Sequence, residues 1–347
     1  MKAIPRRGKN RNSHTRKHDF LERRDLNVKR SYPIDEHLSL PINGTKLDIR
    51  IRGTKESNPV VLFLHGGPGA CNRYAVLRDQ APLSDECTIV CLDQRGAGKS
   101  YSAAQAKQTM DMNTVVEDVR LVVDFLRERF HQDKVIVVGH SYGSYLGVLF
   151  SAKYSEKVAA YVGIGQLANG PENERISYEF VLNEAQKRGD QKALKSLKRI
   201  GWPQEGMYAS LNDLMTQRNL MTKYGGAAHG KAEGLIASLV LPVLRSPEYT
   251  AFDLVRYARG QFYNMHQLWR EVIACDFLTN VKKLDVPVFL TIGRYDGNTP
   301  PEIARRWFDA LETPKKEWIW FEESAHSPIA EESERWNSVF RERVLRG

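Results

Sequence analysis

The chain has 347 residues, 41% hydrophobic and 27% charged, with a formal net charge of +9. This is an ordinary globular composition, too long for one growing core, so one large domain with a substantial insertion is expected. No apolar run nears the roughly 18 residues that span a bilayer, and the N-terminus has no apolar secretory stretch.

The charge is concentrated at one end. Residues 1 to 31 hold eleven Lys and Arg against three acids, which leaves 40 basic and 39 acidic residues for everything that follows. Residues 1–35 read as a basic, solvated, disordered arm on a nearly neutral body. Nucleic acid is not an expected partner except through this arm, where an anionic surface is the alternative. Cys71, Cys87, Cys91 and Cys275 sit in apolar surroundings without a CxxC pair, as reduced core thiols of a cytoplasmic protein do.

Ordered structure should begin near Glu36. EHLSLPI, Asn43-Gly44 and TKLDIRIRG form a predicted β-hairpin, because Asn-Gly supplies the two positive φ angles of a type I′ turn. Asn43-Gly44-Thr45 is also a glycosylation sequon, coincidental without a secretory signal. Six β-branched runs follow: PVVLFLH, CTIVCLD, KVIVVGH, VAAYVGI, VPVFLTIG and EWIWFE. Their near-continuous apolarity suits parallel strands buried on both faces. Between the second and third, Val115, Val119, Val122 and Leu126 recur at helical spacing behind a Thr114/Glu117 capping box. The pattern predicts an α/β protein with a doubly wound, mostly parallel sheet of eight strands.

The alternation stops at Ile164 and resumes at Val286, a gap of roughly 120 residues that must have structure of its own. It reads as all helix: from Pro171 to Gly189, Asp190 to Gly201, Leu211 to Tyr224, Lys231 to Leu244 and Thr250 to Gly260. The expected organisation is therefore a core of 36–165 and 276–347, with a helical cap of 166–275 inserted on the sheet's C-terminal edge.

Gly139-His140-Ser141-Tyr142-Gly143 follows the strand KVIVVG and opens an apolar helix. A strand-to-helix turn of this kind holds a serine oxygen clear of the chain, with glycines relieving the bend, so Ser141 is the candidate nucleophile. After such an elbow the acid and the histidine follow in that order. Asp296 ends the strand VPVFLTIG and His326 follows the next strand, both on the edge that carries Ser141. They are the candidate acid and base; Asp285 precedes its strand and lies at the wrong end. His140 is assigned to packing, its side chain turned from the nucleophile. An oxyanion requires preorganised N–H donors. Tyr142, after the nucleophile, supplies one, and Gly67, in the HGGPG loop after VVLFLH, supplies the other. Gly66 beside it is a candidate substrate contact. The DQRGAGKS segment lacks the glycine that a phosphate loop needs five positions before Gly98, where Asp93 stands. It reads as a supporting loop in which Arg95 and Asp93 are candidates to pair. Neither a metal nor a cofactor is called for.

HGGPG, DQRGxGxS, the GxSxG elbow and GRYD before a terminal histidine appear together in one order, and with them the chain resembles the proline iminopeptidase family of α/β-hydrolases. The resemblance covers Glu36 to the C-terminus. It implies an α/β-hydrolase fold with a helical cap, a Ser141/Asp296/His326 triad, a Gly67/Tyr142 oxyanion hole, and metal-free removal of N-terminal residues from short peptides. It also implies a carboxylate that recognises the substrate's free amine. Some relatives carry Glu directly after the acid, where Gly297 stands here. Glu172, Glu174, Glu179, Glu184, Glu205, Glu233 and Glu248 of the cap are the remaining choices. Tyr249, Phe252, Tyr257, Phe262, Tyr263 and Trp269 are candidates to line an apolar pocket or to pack the cap. An esterase or amidase for small molecules is the alternative on the same machinery. An acyltransferase and a non-catalytic binding module are lesser ones.

Overall fold

In the computed structural model the described residues are 32–230, 243 and 246–347. Residues 1–31 of the basic arm, Glu233, and all but Val243 of the cap helix predicted over Lys231 to Leu244 lie outside them, whereas Ile34 and Asp35, assigned to the arm from the sequence, begin the first strand because they pair with Gly53 and Arg52. The alternation of short apolar runs with helices produces an eight-stranded sheet in the order β1-β2-β4-β3-β5-β6-β7-β8. The hairpin strands are β1 (Ile34–Ile42) and β2 (Thr45–Gly53), closed by Asn43 and Gly44 at positive φ as the Asn-Gly signal requires. They pair antiparallel with each other, and β2 runs antiparallel to β4 (Thr88–Asp93). The other pairings, through β3 (Val60–Leu64), β5 (Val135–His140), β6 (Val158–Ile164), β7 (Val288–Gly293) and β8 (Lys316–Phe321), are all parallel.

The continuous apolar runs have the cause anticipated for them. Val60, Leu62 and Leu64 face one half of the core, while Val61 and Phe63 face the other. On the first face lie α1 (Met112–Arg129) and α2 (Tyr142–Lys153). The start of α1 differs from expectation. It is capped by Asp111, whose side chain accepts from Thr114 N–H, and Glu117 instead bonds Arg120, Lys153 and Tyr154. Aspartate at the cap satisfies an otherwise orphaned N–H, and that moves the helix start upstream of the predicted box.

Between β6 and β7 the described chain is helical, with no strand among the described residues. Its longer elements are α3 (Gly170–Lys187), α4 (Gln191–Ile200), α5 (Leu211–Lys223) and α6 (Ala251–Ile273), followed by a single turn at Phe277–Asn280. The first three start at Asn169, Asp190 and Ser210, whose side chains each accept a first-turn N–H. The fourth starts with a full capping box between Thr250 and Asp253. Helix α6 does not stop at Gly260, where the sequence suggested an end, but runs on to Ile273. Gly260 is there for proximity: a β-carbon on it would lie 2.5 Å from Gly96 O. Gly69 approaches the same turn, 2.8 Å from Gln261 Cα by the same measure. Absent side chains on Gly69, Gly96 and Gly260 let the cap helix settle onto the loops that follow β3 and β4.

All the loops that carry candidate site residues leave the C-terminal ends of parallel strands. The chain winds from β3 to β4 in one direction and from β5 onward in the other. The crevice between the ends of β3 and β5 is thus the topological switch point, the usual ligand position in such sheets.

Gly260→Ala tests the close approach. The extra methyl should cost about 1–3 kcal/mol in overpacking against a backbone carbonyl that cannot yield, offset by about 1 kcal/mol of helix propensity. A lower denaturant midpoint at unchanged slope is expected.

Candidate active site

The elbow forms because two backbones come almost into contact. A β-carbon on Gly143 would lie 2.1 Å from Leu64 O, and one on Gly139 would lie 2.2 Å from Gly143 O. Only glycine fits at either position, so the turn between β5 and α2 is forced against the end of β3. Ser141, between them, takes φ 56° and ψ −120°. A non-glycine residue there costs on the order of 1–3 kcal/mol and persists only where its surroundings hold it. Here Ser141 N–H donates to Ile164 O at 2.9 Å, and Ser144 Oγ donates to Ser141 O at 2.6 Å.

Asp296 follows β7 and is buried. One oxygen, Oδ1, accepts from Asn298 N–H at 2.9 Å and Thr299 N–H at 2.8 Å. The other, Oδ2, accepts from Thr299 Oγ at 2.7 Å and meets His326 Nδ1 at 2.9 Å. An acceptor at Nδ1 places the ring proton there and leaves Nε2 as the basic nitrogen. Packing also fixes the ring: a β-carbon on Gly165, after β6, would lie 2.9 Å from His326 Nδ1. Ser141 and His326 line one cavity of about 480 Å³, with Gly66, Gly67 and Tyr142 on the same wall. Asp285, set aside in the sequence, is exposed and bonded to Lys283.

Tyr142 N–H lies in the first turn of α2, where no intrahelical partner exists. Gly67 takes φ +118°, and its N–H has no backbone partner among the described residues. Both are donors without an acceptor of their own beside Ser141. The loop that holds Gly67 is braced from behind. Gln94 N–H donates to His65 Nε2 at 3.2 Å, and Gln94 Nε2 donates to His65 O at 3.0 Å.

The DQRGAGKS segment thus supports the site, but not through a bond between its own Arg and Asp. Arg95 reaches Asp118 of α1 at 2.5 and 2.7 Å, and Asn43 O at 3.0 Å. Asp93 instead takes Tyr249 OH at 2.9 Å and Lys99 N–H at 2.8 Å, with Arg73 3.3 Å away. Apart from Lys99 within the segment, these partners come from other elements, which spacing along the chain does not reveal.

His140 also departs from a pure packing role. Its half-buried ring lines the cavity, its Nε2 lies 3.0 Å from His326 O, and the two rings sit 5.0 Å apart. Burial pulls its pKa down to about 4, and the facing His326 ring acts in the same direction. It is a neutral donor to the main chain of the histidine loop.

Among the described cap glutamates, Glu174 is the one that lines the cavity. It is 1% exposed. Its Oε1 is paired with Arg218, and its Oε2 has no hydrogen-bond partner among the described residues. Burial pulls the Arg218 guanidinium down, but Glu174 beside it more than offsets this and the pKa is raised. Gly297 is accounted for as well. A β-carbon there would strike the Phe180 ring at 2.9 Å and Gly226 Cα at 3.1 Å, so the cap excludes a side chain after Asp296. Of the aromatics, Tyr257 and Trp269 line the cavity, Tyr249 is buried on Asp93, and Phe252 and Phe262 are exposed. Thr299 was missed in the sequence. Its signal is an Asp three residues ahead of a Thr at a helix approach, a local side chain-to-backbone pattern.

Sheet order, elbow and cap define an α/β-hydrolase. The family model described as alpha/beta hydrolase fold matches residues 59–200. A protein of Bacillus subtilis (strain 168) named "probable aminopeptidase" is 31% identical over 310 residues, covering 88% of this chain and 94% of its own. A proline iminopeptidase of Lactobacillus delbrueckii subsp. lactis is 24% identical over 308 residues, covering 88% and 97%. The crystal structure of the Mycobacterium smegmatis proline iminopeptidase superposes with a TM-score of 0.59 at 15% identity, over 88% of this chain and 96% of that one. At that identity the superposition shows the fold alone. The chain belongs to the proline iminopeptidase-like family of α/β-hydrolases and is a hydrolytic enzyme. None of its helices, among the described residues, is long and apolar enough to cross a membrane.

The His140 environment gives a pH test. Unfolded, this histidine takes a proton near 6.5, whereas folded it stays neutral down to about 4. The stability it supports is complete above about 6.5 and is lost as pH falls towards 4. The His140→Asn variant should therefore lose less melting temperature than the wild type between about pH 7.5 and pH 4.5.

Proposed function

We propose that the protein is a metal-free serine aminopeptidase that removes N-terminal residues from short peptides. The reading rests on Ser141, the Asp296-held imidazole of His326 and the buried carboxylate of Glu174 lining a single cavity. Ser141 Oγ attacks the scissile carbonyl carbon as its proton passes to His326 Nε2. The resulting oxyanion is held by the N–H groups of Tyr142 and Gly67, with Gly66 against the substrate. The C–N bond then breaks, and His326 returns the proton to the departing peptide amine, leaving an acyl group on Ser141. Water enters, His326 takes its proton, and hydrolysis frees the amino acid and the serine. Asp296 holds the ring with its proton on Nδ1 and stabilises the cation formed in each half.

Glu174 gives the peptidase reading its specificity. A buried carboxylate with one oxygen unpartnered is costly, and a substrate ammonium is the group that satisfies it. It takes the place of a carboxylate after the acid, which the Phe180 and Gly226 contacts exclude at Gly297. Residues 166–275 serve as the cap that carries it. The four cysteines are buried and free, in keeping with work in the reducing cytoplasm.

Turnover of prolyl and alanyl arylamides should fall by ~10⁴-fold or more in Ser141→Ala. Glu174→Gln should raise KM for free-amine substrates by about tenfold or more, as expected when one partner of a buried charge pair is neutralised. Acetylating the substrate amine should abolish cleavage. Unchanged turnover of the blocked substrate would sink the peptidase reading and leave a small-molecule esterase or amidase.

A further inference from the structure

Glu331 stands at the end of the short helix Pro328–Glu331, five residues beyond the candidate base. Its carboxylate collects three backbone N–H groups. Oε2 accepts from Ala325 at 3.0 Å and from His229 at 2.6 Å, while Oε1 accepts from Ser327 at 2.8 Å. Ala325 and Ser327 are the residues on either side of His326. His229 belongs to the cap. One side chain therefore grips the main chain on both flanks of the imidazole and fastens it to the insertion above.

The same cap turn also touches the loop of the candidate acid. Gly297 N–H donates to Gly226 O at 3.0 Å, and the His229 ring stacks on Tyr295, 3.7 Å between centroids and 10° from parallel. Residues 226–229 thus contact the neighbours of Asp296 as well as those of His326. A charged acceptor for three N–H donors is stronger than neutral pairings. Without it, three polar groups at the juncture of cap and core would lose their partner.

We infer that Glu331 is a positioning residue for His326, and that through the His229 N–H it sets the aim of the imidazole and the seat of the cap together. The inference rests on His326 being the base of the reaction proposed above. A carboxylate that merely glues the fold would contribute to stability alone. One that aims the ring changes the rate at each intact site, because small misplacements of a reacting group are costly.

The test uses the full chain, with active sites counted by a fluorophosphonate and rates taken on an arylamide or acyl ester that the wild type hydrolyses. Glu331→Gln, which keeps one acceptor oxygen, should lower kcat per titrated site about 10- to 100-fold with KM within about twofold. His229→Pro removes the cap donor together with the ring stacked on Tyr295 and should lower kcat by a smaller factor, whereas His229→Ala, which keeps the N–H, should lower it less than His229→Pro does. Glu332→Gln alters the adjacent carboxylate, which bonds Glu323 N–H and Ser324 Oγ, and should leave kcat per site unchanged. If Glu331→Gln lowers only the melting temperature, with kcat per titrated site at the wild-type value, the positioning role is overturned. Failure of the wild type to label at Ser141 is a separate result, which removes the nucleophile and this inference with it.

Discussion

The contact on which the rest depends is backbone against backbone at the start of α2. Gly143 lies so close to the carbonyls of Leu64 and His65 that even a methyl group would collide. That proximity holds Ser141 in a conformation it would not keep in isolation, aims its side chain into the crevice between β3 and β5, and brings the HGGPG loop beside it. Strain at one residue is stabilised by the burial of two strands and a helix around it. The rigidity of the parallel sheet is therefore what keeps the candidate nucleophile, half-buried Ser141, in this conformation.

A second set of close contacts joins the cap to that edge. Gly69 and Gly96 meet α6 around Gly260, and Gly226 meets Gly297. At each of these places, backbone approaches backbone without an intervening side chain. The cap consequently contributes to the cavity wall and supplies a buried ion pair, Glu174 with Arg218, beside the apolar cluster of its helices. Burying such a pair is rarely favourable for stability by comparison with apolar packing. Glu174 of that pair lines the same cavity as Ser141, which is why the proposed function gives it a part in ligand recognition.

The polar groups around the site form layers. Gln94 braces His65, Thr299 and two N–H groups hold Asp296, and His140 and Glu331 hold the main chain around His326. Each candidate catalytic group is thereby restrained by residues that need not touch substrate. Preorganisation of this kind lowers the reorganisation required at the moment of reaction.

Much of this was written locally in the sequence. Apolar runs of fixed length gave the strands, Asn43-Gly44 gave the hairpin, and the glycines around Ser141 gave the elbow, because each is a short-range steric or hydrophobic rule. Chain order after the elbow then selected Asp296 and His326. What depended on distant segments could not be read this way. Gly260 looked like a helix end because its reason, the carbonyl of Gly96, is more than 160 positions away. Thr114 and Glu117 looked like a cap until Asp111 took the N–H. Arg95 was matched to a neighbour, whereas its partner Asp118 lies on α1. Glu174 could not be told from the six other glutamates weighed for that role, because burial beside a cavity is a property of assembled helices and not of any one of them. Local propensity fixes which elements form; only their packing decides which charged side chains lose water and must find another partner.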